Sequence, residues 1–198
     1  MLNLPLQPRH VLPPLCLIVL TMLLAWLGMN NELEFNRPLL EQGQLWRLFT
    51  SQFVHANWAH LALNCAGIGL IWLLHGEYTH PKQYSFNIST LALWCGLGVY
   101  WFCPTITIYT GISAVLHGVI VWGAIKDVTV GLKSGYVLFI GVWAKLIFEQ
   151  VNGPSAAIGQ LIQSTVAVDA HLIGAIGGVV LAVPLVVKHI KNTKKNAT

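Results

Sequence analysis

The sequence predicts an all-α, polytopic membrane protein, with six spanning helices in one domain over residues 1–198 and a short fourth helix at the centre. Three observations carry this prediction. Of 198 residues, 55% are hydrophobic and only 9% charged, with a mean hydropathy of +0.64; a soluble domain would carry about 25% charged residues. Long apolar segments recur between Gly and Pro joints, as membrane spans do. The Lys and Arg residues also divide unequally between the two faces that six spans define.

The first segment, 11–29, follows Arg9 and His10 as a signal peptide would. Its LGMN end offers no small-x-small cleavage site, however, and Pro13–Pro14 interrupt its start, so it reads as a span. Segments at 55–75, 88–103, 134–149 and 168–188 supply four more, with Pro81, Pro104, Gly111, Gly153 and Pro154 at the joints. Segment 113–125 has only about 13 residues before Lys126 and Asp127. A span needs roughly 20, so this helix belongs inside the bundle. Residues 1–10 then form a cytoplasmic N-terminus, 11–188 the core and 189–198 a basic cytoplasmic tail. Eight of the 11 Lys and Arg fall on the side of the termini, which places that side in the cytoplasm.

Composition excludes several classes. A net charge of +4 makes no nucleic-acid surface, and there is no Gly-rich phosphate loop, charge run or repeat. Cys16, Cys65, Cys95 and Cys103 lie in apolar stretches without C-x-x-C spacing. They read as buried apolar side chains rather than disulfides or zinc ligands. No cofactor or metal is expected.

Polar residues within spans are costly and mark function by default. In this topology the second helix brings His60 and Asn64 to the outer half of the membrane, the fourth brings Ser113, and the sixth brings His171. His60 and Asn64 are i, i+4 and share a face, as do Ser113 and His117. His55, five before His60, lies about 140° round from it. The first turn of the fourth helix leaves N–H groups unpaired and favours negative charge. An oxyanion formed at Ser113 would meet a backbone donor there, with His60 and Asn64 completing the hole. His171 is placed to act as general base. Asp169 lies about 200° round its helix from His171 and cannot support that ring, which leaves a Ser–His dyad. AHLIGAIGG, with Ala170, Gly174, Gly177 and Gly178, lets the fourth and sixth helices approach closely.

These residues resemble the rhomboid intramembrane serine proteases. The resemblance rests on Trp46–Arg47, on H-x4-H-x3-N at His55, His60 and Asn64, on G-x-S at Gly111–Ser113, and on A-H-x-x-G at Ala170–Gly174. It implies a six-span core, Ser113 as nucleophile, His171 as base, and His60 and Asn64 at the oxyanion hole. Gly111, His117 and Gly174 would support the site. A transmembrane or tail-anchored protein is the implied substrate, cut from the external side of the bilayer. Two positions depart from the pattern. Ala114 replaces the second Gly of G-x-S-G, adding a methyl that would narrow the pocket. His117 stands where Tyr commonly stacks on the catalytic imidazole, and would either stack on His171 or bind a backbone carbonyl. FVHANWAHLALN and SAVLHG are similar to the rhombosortase branch, bacterial proteins thought to process secreted proteins with a C-terminal Gly-Gly motif, hydrophobic helix and basic tail.

Two other readings stay open: a metal or proton transporter using His60, His117 and His171, and an inactive rhomboid-like protein that only binds transmembrane segments. The transporter lacks an accompanying intramembrane carboxylate, because Asp169 and Glu149 lie at helix ends. Lys145 and Glu149 read as an i, i+4 surface pair, and His55 as a hydrogen-bonded residue of the first external loop. His10, His75, His80 and His189 read as interfacial, and Trp46 and Trp58 as bilayer-surface anchors. Oligomeric state is not encoded in any of these features.

Overall fold

A computed structural model describes residues 4–78 and 80–196. Helix α1 (Pro8–Trp26) leads into a loop that holds α2 (Asn30–Leu33), strand β1 (Phe35–Asn36), α3 (Arg37–Glu41) and α4 (Arg47–Thr50). There follow α5 (Trp58–His75), α6 (Pro81–Phe102), strand β2 (Ile108–Tyr109), α7 (Ser113–Thr129), α8 (Ser134–Asn152), the short α9 (Ala156–Ile162) and α10 (Val168–Asn196). The all-α expectation holds, apart from a ribbon of two residues per strand in which Phe35 pairs with Tyr109 and Asn36 with Ile108.

Among the described residues four helices, α1, α5, α8 and α10, are long and apolar enough to cross a membrane, and the protein is an integral membrane protein. The other two long helices fall short for different reasons. α6 starts at Pro81 rather than near residue 88, and its first turns, PKQYSFNIST, are polar. Gln83 Nε2 donates to Asn87 Oδ1 at 2.7 Å, which satisfies part of that polarity within the helix. α7 has 17 residues, about 25 Å of helix against a hydrocarbon core of about 30 Å.

α7 sits at the centre, packing most extensively against α10 and also against α5, α6 and α8. Glycine makes this possible. A Cβ on Gly174 would lie 1.9 Å from the Ala114 carbonyl oxygen, and one on Gly178 would lie 2.2 Å from that of Gly118. The backbones of α7 and α10 therefore touch where α10 carries no side chain. α8 is peripheral: only Gly135 and Leu146 are buried.

Several expected boundaries move. α1 begins at Pro8 rather than near residue 11, its fixed φ suiting a first helical position, and continues through Pro13–Pro14 to end at Trp26 rather than near residue 29. α7 runs past Lys126 and Asp127 because Asp127 is not a solvent charge. It accepts from Tyr78 Oη at 2.8 Å and lies 3.3 Å from His75 Nε2. His75, expected at an interface, is accordingly buried. α10 has 29 residues, about 43 Å at 1.5 Å per residue, so the basic tail expected at 189–198 continues the helix to Asn196. Residues 197 and 198 of that tail, and 1–3 of the N-terminal segment, lie outside the described residues.

Candidate active site

The chain before Ser113 is held by a set of local ties. The antiparallel ribbon fixes residues 108–109, and Arg37 N donates to Thr107 O at 2.9 Å. The Arg37 guanidinium donates to the carbonyl oxygens of Val99, Tyr100, Cys103 and Ile106. It thereby caps the carbonyl end of α6, which would otherwise lack partners. Gly111 N donates to Ser51 O at 3.0 Å, and the buried Tyr109 hydroxyl lies 3.0 Å from the Gly111 carbonyl oxygen. Gly111 itself has φ +106°, a conformation side chains rarely adopt. A Cβ there would lie 2.6 Å from the His60 ring. With the turn closed in this way, Ser113 becomes the first residue of α7.

Ser113 Oγ lies 2.9 Å from His171 Nε2, joining α7 to α10. His171 is buried, one turn into α10. The His117 ring lies almost parallel to that of His171, with centroids 4.3 Å apart and planes at 19°. His117 Nδ1 lies 2.8 Å from Ser113 O, and its Nε2 lies 2.9 Å from Lys145 Nζ. An ammonium can only donate and a carbonyl only accepts. His117 therefore carries its proton on Nδ1. Stacking and carbonyl binding, alternatives in the sequence, occur together.

On α5, the helix start is set by Asn57, whose Oδ1 accepts from His60 N at 2.8 Å. His60 and Asn64 face the same cavity as Ser113 and His171, about 740 Å³ in volume and lined also by residues 164–169. Asn64 Nδ2 and His60 Nδ1 are buried without hydrogen-bond partners. Asp169 lies on the exposed rim. Ala114 is fully buried in the core and does not line this cavity, so its methyl does not narrow the site.

His55 lies in the loop before α5, as expected, but its ring does not make the expected hydrogen bond. It precedes α5, is 1% exposed, and neither ring nitrogen has a hydrogen-bond partner. Its ring stands edge-on to His60 with centroids 5.1 Å apart. Burial, with the neighbouring His60 adding to it, pushes the His55 imidazole down to about 3, so it stays neutral.

Sequence reasoning missed Glu149. The i, i+4 pair with Lys145 exists, with Nζ to Oε2 at 2.7 Å, but it does not point away from the site. The same Oε2 lies 3.6 Å from His171 Nδ1, with both side chains largely buried. A carboxylate thus accompanies the histidines after all. Its only sequence signal is the i, i+4 spacing, which does not reveal the rotation of α8. Among the described residues no three His, Cys, Asp or Glu side chains gather as metal ligands would.

The fold and this site define a polytopic helical membrane protein with a serine–imidazole pair at the head of its central helix. A family model described as the rhomboid domain matches residues 42–188, and the chain belongs to the rhomboid family. No curated protein matches it significantly.

Proposed function

We propose that this protein is an intramembrane serine protease that hydrolyses a peptide bond in or near a substrate's transmembrane segment. The observation that carries the reading is the 2.9 Å separation of Ser113 Oγ and His171 Nε2 within a cavity large enough for water and a peptide. Family membership supports it, since rhomboids are known for this chemistry.

In this mechanism Ser113 Oγ attacks the scissile carbonyl as its proton passes to His171 Nε2. The oxyanion takes hydrogen bonds from Asn64 Nδ2, the His60 ring and the Ser113 backbone N–H. Asn64 Nδ2 is otherwise unpartnered, so binding an oxyanion would satisfy a donor that the resting site leaves empty. Collapse breaks the C–N bond, and His171 returns its proton to the leaving amine. Water then attacks the acyl carbonyl, giving one proton to His171, and the ester bond breaks to restore the Ser113 hydroxyl. Gly111 and Gly174 act by permitting the close approaches that bring these groups together.

An apolar cleft of about 530 Å³ between α5 and α8, lined by Leu63, Gly67, Val137 and Gly141, reaches Ser113 and His117. It offers a transmembrane substrate a route from lipid to the nucleophile. Six helices span the bilayer as a single domain over residues 1–198, with residues 11–188 as its core. Lys188, Lys191, Lys194 and Lys195 lie at the opposite end of α10 from His171. This supports cytoplasmic termini and a cavity open to the periplasm of a bacterial inner membrane. The favoured substrates are secreted proteins with a C-terminal Gly-Gly motif, hydrophobic helix and basic tail, as in the rhombosortase branch.

Co-expression with such a substrate tests the reading. Ser113→Ala and His171→Ala each abolish cleavage at normal expression, and each blocks labelling by an active-site serine probe. Persisting cleavage in Ser113→Ala would refute the nucleophile. A cut ordinary single-pass substrate beside an intact Gly-Gly substrate would refute the branch.

A further inference from the structure

His171 has a second ring nitrogen, and its chemistry constrains what must lie beside it. To take a proton from Ser113 at Nε2, the neutral ring must carry its own proton on Nδ1. That Nδ1 is buried and has no hydrogen-bond partner at ordinary length. A buried N–H without an acceptor is costly, and a proton that moves to the other nitrogen disarms the base. Glu149 Oε2 stands 3.6 Å away, within ion-pair reach though longer than a good hydrogen bond.

Three features indicate that this carboxylate is held there. Leu146, 1% exposed, anchors the neighbouring turn of α8 between Val121 of α7 and Ala175 of α10. Lys145 Nζ lies 2.7 Å from the same oxygen and pairs with it one turn away on the same helix. Lys145 also donates to His117, the ring stacked on His171. α8 thus touches both imidazoles through one charge pair, although most of its surface faces outward. The groups facing His171 are Ser113 and His117 from α7, His60 from α5 across the cavity, and Glu149 from α8.

We infer that Glu149 is a positioning residue for His171, accepting from Nδ1–H so that Nε2 is free to act as base, with Lys145 holding the carboxylate in place. The inference rests on the proposed Ser113–His171 chemistry. Proton transfer from Ser113 makes the ring an imidazolium with Nδ1–H still in place. The attraction of the carboxylate then rises and the 3.6 Å contact shortens. No proton need pass to Glu149; it fixes the tautomer and steadies the charge.

The test uses the full-length protein in detergent or bilayer. In Glu149→Gln, kcat falls by about 10²-fold with KM within about twofold, less than the roughly 10⁴-fold loss in a tightly bonded triad. The unfolding temperature stays near that of the parent. Nitrogen-15 NMR of histidine-labelled protein, with His171→Gln for assignment, reads the tautomer directly. The parent His171 is the Nδ1–H form, and Glu149→Gln converts it wholly or partly to Nε2–H. An Nδ1–H population in the minority in the parent would overturn the inference whether or not the variant folds. So would a Glu149→Gln enzyme of unchanged kcat, or a loss of activity matched by a fall in unfolding temperature with the tautomer unaltered. Loss of activity in Ser113→Ala and His171→Ala alongside such results would leave the protease reading standing and remove only the role of Glu149. Activity surviving in those two variants would remove the protease reading itself.

Discussion

His117 and His171 stack with centroids 4.3 Å apart, and His117 is locked by a carbonyl on one nitrogen and an ammonium on the other. The ring is thus a fixed plate against which the His171 imidazole rests. Its contribution is mainly orientation, because a ring held at both nitrogens has none left to exchange a proton with substrate. His117→Ala should lower kcat roughly 2- to 10-fold, the worth of one aromatic contact. His117→Phe keeps the plate and should retain most activity. Initial rates on a transmembrane substrate decide it: a Phe variant as impaired as Ala would show that the hydrogen bonds matter more than the stack.

Gly111→Ala should damage the site twice. The backbone at φ +106° resists a side chain, at about 1–3 kcal/mol, and the new methyl would lie 2.6 Å from the His60 ring and 3.4 Å from Asn64 Nδ2. Activity should fall further than stability accounts for, because the displaced groups are the proposed oxyanion donors. Gly174→Ala acts differently. Its methyl meets the Ala114 backbone, which has no way to retreat except by parting α7 from α10. The unfolding temperature and the rate of serine-probe labelling should then fall together. A Gly174→Ala protein of normal stability would contradict the close helix contact.

Ser113 and His171 were legible in the sequence because each sits in a short motif at the head of an apolar segment, where a polar side chain has few other uses. Glu149 was not, although it is close to His171. Periodicity tells which residues share a face of one helix, but the rotation of α8 against α10 is set by packing, here by Leu146. The same limit hid the contact of His75 with Asp127, 52 positions apart at the ends of two different helices. The start of α6 was obscured for another reason: its polar first turns satisfy hydrogen bonds side chain to side chain, so apolar pattern alone places the helix seven residues late. Ala114 adjoins Ser113 along the chain, whereas its methyl belongs to the core.

Arg37 carries no motif, yet it holds the chain that leads into Ser113, the proposed nucleophile. Its guanidinium donates to four carbonyl oxygens spread over residues 99–106 and lies over the rings of Phe35 and Tyr100. A planar fork of donors does this, and an ammonium point charge does not. Arg37→Lys should therefore cost nearly as much as Arg37→Ala, on the order of 3 kcal/mol for charged hydrogen bonds left unmade. Thermal unfolding in detergent measures it. A lysine variant as stable as the parent would mean that charge alone suffices.

Burial of His55 makes stability fall in acid. Its folded value of about 3 lies below the 6.5 of an unperturbed imidazole, so the unfolded chain binds a proton that the folded chain refuses. The contribution is therefore complete above pH 6.5 and is lost as pH falls from 6.5 towards 3, at about 1.4 kcal/mol per unit where the two states differ by a full proton. Neither ring nitrogen has a hydrogen bond to lose. His55→Leu consequently leaves no buried polar group unsatisfied, and should make the decline in stability between pH 6 and 4 shallower while keeping the neutral-pH value close to that of the parent. Unfolding temperatures across that range provide the measurement. An equally steep decline in His55→Leu would assign the acid sensitivity to another group, whereas a collapse at pH 7 would mean that the edge-on contact with His60 supports the head of α5 more than its burial alone suggests.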